Sequence, residues 1–236
     1  PSGISDSSVD ITITDNDRTN TTTYDIDTVQ NIETANVYTA SPDDTVKKID
    51  SEGAIVWTFT GHTDRVWSVA VDASGNVYSG SGDDTVKKLD SSGKIVWTFT
   101  GHTAIVFSVA VDTDGNVYSG ASDDTVKKID SSGNELWTFT DHINTVWSVA
   151  VDELGNVYSG SSDDTVKKID SEGAIVWTFT GHSGTIFGLS TDTLGNVYSA
   201  SWDDTVKKID SEGAIVWTFT GHTETVLSVA VDASGN

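Results

Sequence analysis

Asn76-Val77-Tyr78-Ser79-Gly80-Ser81-Gly82-Asp83-Asp84-Thr85-Val86-Lys87-Lys88-Leu89-Asp90-Ser91-Ser92-Gly93-Lys94-Ile95-Val96-Trp97-Thr98-Phe99-Thr100-Gly101-His102 is the stretch that decides the fold. Val77 to Ser81 reads as a short strand, closed by a tight Asp83-Asp84 turn. Thr85 to Leu89 reads as a second strand and Asp90 to Gly93 as a turn. Ile95 to Thr100 is a third strand, rich in β-branched and aromatic residues. Just upstream, Arg65 to Val71 alternates, with Val66, Ser68 and Ala70 on one side and Trp67, Val69 and Val71 on the other. Between them Asp72 to Asn76 is a turn, with Gly75 suited to positive φ. Nothing in the unit has helical periodicity.

Working outward, the same unit recurs every 40 residues. Asn-Val-Tyr begins at Asn36, Asn76, Asn116, Asn156 and Asn196, and Asp-Asp-Thr-Val-Lys-Lys at Asp43, Asp83, Asp123, Asp163 and Asp203. The five histidines, His62, His102, His142, His182 and His222, share that period. Strands that are apolar on both faces need cover on both. Radial stacking of four-stranded sheets supplies it, and four strands in about 40 residues is the propeller pattern. The expected fold class is therefore all-β: a β-propeller of five four-stranded blades over residues 36–236.

Gly61-His62, the alternating strand, Ser79-Gly80-Ser81 with Asp83, and Thr85-Val86-Lys87 resemble a WD repeat. The resemblance implies a structural hydrogen-bond chain through His62, Ser79 and Asp83, and through His102, His142, His182 and His222 with Asp123, Asp163 and Asp203. The Trp-Asp pair that names that family is replaced by Ile49-Asp50, Leu89-Asp90, Ile129-Asp130, Ile169-Asp170 and Ile209-Asp210. Asp-Thr-Val-x-x-Ile-Asp-x-x-Gly-x-x-x-Trp is similar to the tryptophan-docking repeat of quinoprotein-type propellers. That likeness implies that Trp57, Trp97, Trp137, Trp177 and Trp217 dock between blades, and it implies packing alone, with no quinone-binding constellation.

Innermost strands are expected at about 64–72, 104–112, 144–152, 184–192 and 224–232. The repeats open on strands two to four of one blade and end on a first strand without successors. Joining the ends completes a fifth sheet, with N- and C-terminal strands sharing a blade, and removes two exposed edges. The competing reading is a fragment of a larger ring, and blades this alike can also exchange between chains. Residues 1–35 stand outside the repeat as an N-terminal extension or linker. Val9 to Ile13 and Thr21 to Ile26 can pair as a hairpin, and Asn20-Thr21-Thr22 is a glycosylation sequon, meaningful on an exported surface. The chain does not open on Met and reads as part of a longer product, with no signal peptide visible.

The 236 residues carry 36 acidic against 13 basic side chains, a net charge of −23. Such a surface repels nucleic acid and anionic membrane. Asp-rich composition with abundant Thr and Ser reads as a protein kept hydrated in high salt, soluble and surface-exposed on a halophile or its virus. With no cysteine, neither disulfides nor thiolate metal sites hold the fold.

The histidines, one per blade at one height, cannot converge on a metal. The Asp pairs recur too uniformly for one active site and read as turn builders, as does Asp112 to Asn116, which lacks the later ligands of a calcium loop. One lysine of each Lys-Lys pair is expected to pack its stem on a neighbouring blade with its ammonium paired to an Asp.

Function is sought where the copies differ. After each Gly-His or Asp-His the differing residues include Arg65, Trp67, Ile105, Phe107, Asn144, Trp147, Phe187 and Leu227. Before the turn Asp stand Pro42, Gly82, Ser122, Ser162 and Trp202. Both loci fall at one end of the blades, the top face on which WD-repeat partners dock. Aromatic residues and Arg are enriched in binding hot spots, and no nucleophile–base pair stands among them. The expectation is a non-enzymatic scaffold without cofactor that binds a protein on this face. Two alternatives are a carbohydrate-binding propeller and a surface component that self-assembles through residues 1–35.

Overall fold

Three kinds of turn set the strand spacing. In the first, the Asp72 side chain organises the loop: Oδ1 accepts the Ser74 and Asn76 N–H groups, both at 2.9 Å, and Oδ2 accepts Asn76 Nδ2 at 2.8 Å and the Tyr78 hydroxyl at 2.9 Å. Gly75, at φ 78°, closes it. In the second, Asp90 Oδ1 accepts the Ser92 and Lys94 N–H groups, and Gly93 takes positive φ. The third is the Asp-Asp turn, whose second residue (Asp44, Asp84, Asp124, Asp164, Asp204) sits at φ 63–66°. Aspartate tolerates the left-handed region better than most side chains.

The computed structural model describes residues 36–232. The extension at 1–35, with its hairpin, sequon and assembly role, lies outside the described residues. Between these turns run five antiparallel sheets. The first has three strands: β1 (Val37–Ala40), β2 (Val46–Ile49) and β3 (Ile55–Phe59). The second has four: β4 (Val66–Val71), β5 (Val77–Ser81), β6 (Val86–Leu89) and β7 (Ile95–Phe99). The third is β8 (Val106–Val111), β9 (Val117–Ala121), β10 (Val126–Ile129) and β11 (Glu135–Phe139). The fourth is β12 (Val146–Val151), β13 (Val157–Ser161), β14 (Val166–Ile169) and β15 (Ile175–Phe179). The fifth is β16 (Ile186–Thr191), β17 (Val197–Ser201), β18 (Val206–Ile209) and β19 (Ile215–Phe219). The described residues are all-β, and the sheets are the blades of a propeller-type repeat.

The core lies between successive blades. Tyr78, Val86 and Phe99 of the second sheet pack against Val106, Val109, Val117 and Ile129 of the third. A Cβ on Gly80 would stand 2.8 Å from Val106 Cγ1 and 3.2 Å from Val109 Cγ1, so the second strand needs a residue with no side chain there. Trp97 reaches across to donate its Nε1–H to the Ser131 carbonyl at 3.1 Å, and its ring covers Gly133. Trp57, Trp137 and Trp177 do the same to Ser91, Ser171 and Ser211. Lys88 spans the junction too, its ammonium 5.2 Å from the Tyr78 ring centre and 3.3 Å from the Ser131 carbonyl. The lysine stem does pack toward a neighbour, but its usual partners are a tyrosine face and a carbonyl rather than an aspartate. Lys47 with Asp43, at 3.2 Å, and Lys208 with Asp192, at 3.6 Å, do pair with an aspartate, in each case one of the same blade.

Two further expectations need correction. The alternation read for Arg65 to Val71 is broken by a β-bulge, where Val66 faces Ser81 and Ser68 faces Gly80 across the ladder. The extra residue is Trp67. Past a bulge the period shifts by one, so Val66 and Val69 pack into the same cluster and Trp67 is turned out. Cover on both faces also fails at the outermost strands, where Ile55, Val56, Ile95 and Val96 remain more than half exposed.

The ends of the repeat array differ from its middle. Residues 224–232 form no strand, although the Val226 N–H donates to the Ser201 carbonyl at 3.1 Å as Val66 does to Ser41. Among the described residues β1 pairs with β2 alone. Val37 is 54 % exposed where its counterparts Val77, Val117, Val157 and Val197 are fully buried.

Candidate functional site

The two variable loci are physically joined. The N–H of Gly82, which precedes the turn Asp, donates to the Arg65 carbonyl at 2.8 Å. Ser122 donates likewise to Ile105, Ser162 to Thr145, and Trp202 to Thr185. Ser81 Oγ reinforces the contact through the Asp64 carbonyl at 2.8 Å, and Ser161 Oγ through that of Asn144. These bonds stack the residue before the Asp turn on the loop that enters the inner strand, so both sets of differing side chains share one end of the blades.

Behind this rim each inner strand is tied to the next by a serine: Val109, Val149 and Leu189 donate their N–H groups to Ser68, Ser108 and Ser148 Oγ at 3.0–3.1 Å. The spacing this fixes brings residues 40 apart in sequence into ring contact. Trp67 meets Phe107 edge-on at 5.1 Å, and Phe107 stacks on Trp147 at 4.2 Å. Trp147 meets Phe187 edge-on at 5.3 Å, and Phe187 stacks on Trp202 at 6.1 Å. The result is one aromatic row across four blades. Trp147 is pinned by its Nε1–H to Ser162 Oγ at 2.7 Å. The row is open at its ends, with Trp67 43 % and Trp202 62 % exposed.

Arg65 and Asn144 are exposed on the adjoining loops, and Ile105 is half-buried there. Leu227 follows Phe187 by one period and is exposed, outside the ring contacts. Ile143, beside Asn144, is the most exposed large hydrophobic residue of these loops at 85 %. Its signal in the sequence was an apolar side chain where the other copies carry Thr or Ser.

The imidazoles lie beneath this face. His62 Nδ1 and Asp83 Oδ2 are 2.8 Å apart, and His62 Nε2 and Ser79 Oγ 2.8 Å. His102, His142 and His182 repeat the geometry with Asp123 and Ser119, Asp163 and Ser159, and Asp203 and Ser199. An ionised carboxylate only accepts, so Nδ1 carries the proton and Nε2 accepts from the serine hydroxyl. Burial holds His62 and His182 below the ordinary histidine pKa, against the pull of Asp83 and Asp203. Burial alone would raise Asp203, but hydrogen bonds from Thr205, His182 and the Ser183 N–H overcome it and lower its pKa to about 2. All four imidazoles are bonded at both nitrogens and spent on structure. His222 is exposed.

At the opposite end, Asp112 directs all its lone pairs into its own turn, to Asp114, Asn116 and Tyr118. A polar cavity of about 140 Å³ beside it is lined by Asp114, Tyr118, Lys128, Glu153 and Ser171.

No curated protein matches the chain. A family model described as outer membrane protein assembly factor BamB matches residues 42–146 and again 122–235, together nearly all of the repeat region. The match supports the quinoprotein-type, tryptophan-docking repeat; a WD-repeat assignment does not follow from it. The chain therefore belongs to the family described as outer membrane protein assembly factor BamB.

Proposed function

We propose that this chain is a non-enzymatic protein-interaction platform whose partner docks on the blade end that carries the aromatic row. One observation carries the reading: the positions at which the repeats differ converge on a single track, Trp67–Phe107–Trp147–Phe187–Trp202, open at both ends. Large aromatic rings held rigid by their neighbours bind with little loss of side-chain entropy, which is why they dominate hot spots. The family's name, an assembly factor, fits a platform role. The buried histidines have no nitrogen left for acid–base work, which favours binding over catalysis. A carbohydrate-binding propeller would be expected to repeat one pocket at each blade junction, whereas this track is single. The carboxylate excess suits a high-salt or cell-surface setting.

The test is cross-linking mass spectrometry on the protein in its native source with a carboxylate-directed reagent, since the rim is rich in Asp and poor in Lys. Links from a partner to the Asp84, Asp124 and Asp164 turns are expected, and their loss when Trp67 and Trp202 are both replaced by Ala. A partner that links elsewhere, or persists in that variant, ends the reading.

The platform is proposed to be a closed five-bladed ring, on a specific observation. Gly93, Gly133, Gly173 and Gly213 each lie under a tryptophan of the preceding blade, whereas Gly53 has nothing within 4 Å and Trp217 is 41 % exposed. His222 likewise stands one period past His182, and Thr39 and Asp43 one period before Ser79 and Asp83. Each end holds the half of a junction that the other lacks. Cross-links between the Ser51–Gly53 turn and the Trp217 strand within one chain are expected. The same links between two chains would instead mean blade exchange, and their absence an array that continues into further blades.

A further inference from the structure

The proposed docking face combines two features with opposite demands. The aromatic row offers apolar ring faces at Trp67 and Trp202. Around it, the turns at the same end carry carboxylates on every blade, at Asp44, Asp84, Asp124, Asp164 and Asp204. Each of these residues is at positive φ. The loops entering the inner strands add Asp64, Asp141 and Glu224 and carry one cation, Arg65, while at the first turn Lys47 pairs with Asp43 at 3.2 Å. The first aspartate is committed inward in four of the five pairs, since Asp83, Asp123, Asp163 and Asp203 hold a histidine and a threonine. The second sits at positive φ in the turn and, among the described residues, faces no lysine or arginine at salt-bridge distance. The face is therefore a negative collar around exposed π surfaces.

Few ligands satisfy both at once. A purely apolar partner would cover the rings but desolvate carboxylates without compensation. An anionic partner is repelled by the collar. An organic cation satisfies both, because its charge is attracted to the negative face of an indole and to the carboxylates, and its aliphatic stem covers the ring. Trp is the strongest of the aromatic residues in this role. The row also continues over four blades, so it suits several such side chains in an extended segment rather than one isolated cation.

We propose that the aromatic row receives an extended, lysine- or arginine-bearing segment of the partner, with cationic side chains seated on Trp67 and Trp202 and the second turn aspartates as their counter-charges. The inference rests on the reading of this face as the partner site and adds the chemistry of what it binds.

The test is calorimetric titration of the full chain with a lysine–glycine repeating peptide, and with glutamate–glycine and glutamine–glycine peptides as comparisons. Saturable binding of the lysine peptide alone is expected, weakened by molar salt because the turn carboxylates are only half-buried. Binding is expected to fall at least tenfold in Trp67→Ala/Trp202→Ala, whose exposed rings can be removed with the far-ultraviolet dichroism unchanged. Asp84→Asn/Asp124→Asn/Asp164→Asn, which keeps a residue tolerant of positive φ, is expected to reduce affinity and flatten the salt dependence. Preference for the glutamate peptide overturns the inference, as does lysine-peptide binding that survives loss of both tryptophans. If no peptide binds while native cross-links still map to this face, the cationic chemistry is wrong and the partner site stands. If the cross-links map elsewhere, both fall together.

Discussion

The junction between the second and third sheets and the pair of faces at the ends of the array are made from the same residues, yet they are in different states. At the junction Phe99 is 7 % exposed, Trp97 is bonded to Ser131 and His102 is sealed between Ser119 and Asp123. At the end of the array Phe219, in the same place on its blade, is 49 % exposed. The beside-lying pocket of about 430 Å³, lined by Val206, Trp217 and Phe219, is the space that the following blade fills elsewhere. A blade thus does not make its own core. It contributes half of one, and stability resides in the interfaces between neighbours, as in other repeat architectures.

The largest expected effect breaks a mated junction. Phe99→Ala removes a buried ring and should cost about 3–5 kcal/mol in urea unfolding. Phe219→Ala should cost well under half of that if its face is open, and nearly as much if the ring is closed over it. The pair of measurements therefore reads closure directly in stability.

A smaller but sharper contrast comes from glycine. Gly133 is at φ 93°, and a Cβ there would lie 2.9 Å from Trp97 Cγ. Gly53 is at φ 83° with nothing within 4 Å. Gly133→Ala incurs both strain and collision and should cost about 2–3 kcal/mol. In an open array Gly53→Ala should cost about 1 kcal/mol, from backbone strain alone. Equal losses would place Trp217 over Gly53.

Much of the fold was legible because each turn states its chemistry locally. Asp72, Gly75 and Asn76 specify their turn by side-chain bonds within five residues, and the tryptophans announce their docking by fixed spacing from a glycine one blade on. The aromatic row was legible only in part. Trp67 and Phe107 were readable as differing residues at one end, but their contact depends on the bulge that swings Trp67 out of the alternation and on the Ser68–Val109 bond that sets the distance between inner strands. Neither is encoded within a single repeat. Whether residues 224–232 pair with β1 depends on two segments nearly the whole array apart, and local pattern cannot decide it.

Acid should also weaken the fold through His62 and His182. His62 and His182 have folded-state pKa values below the ordinary 6.5, so in the window below 6.5 the unfolded chain binds protons that the folded chain does not. Stability is then complete above that pH and declines as pH falls through the window. Asp83 and Asp203 are shifted down from 3.8, so their contribution is present above 3.8 and disappears only in stronger acid. Urea titrations from neutral to mildly acidic pH should show the first decline. His62→Gln should shrink it at a cost of about 1–3 kcal/mol at neutral pH, since Ser79 is left with an imperfect partner. His222→Gln, exposed in the open array, should leave stability at neutral pH unchanged, whereas a loss matching that of His62→Gln would mean that Thr39 and Asp43 enclose it.

The smallest expected effect tests why the second turn residue is aspartate when glycine fits its backbone better. Asp84 at φ 63° carries the strain of a side chain in the left-handed region, about 1 kcal/mol or less for Asp. Asp84→Gly relieves that strain but gives the unfolded chain more freedom to lose, about 0.4–1 kcal/mol. The two terms oppose each other, so stability should change by no more than about 0.5 kcal/mol. Asp84→Val keeps the strain, adds β-branching and should cost about 1–2 kcal/mol. If glycine is tolerated at this position in all five turns, folding does not require the carboxylates there. Their presence on every blade then calls for an explanation at the surface, where the cation-binding collar supplies one. A loss well above 0.5 kcal/mol for Asp84→Gly would instead make the carboxylate a structural element of the turn and remove that support.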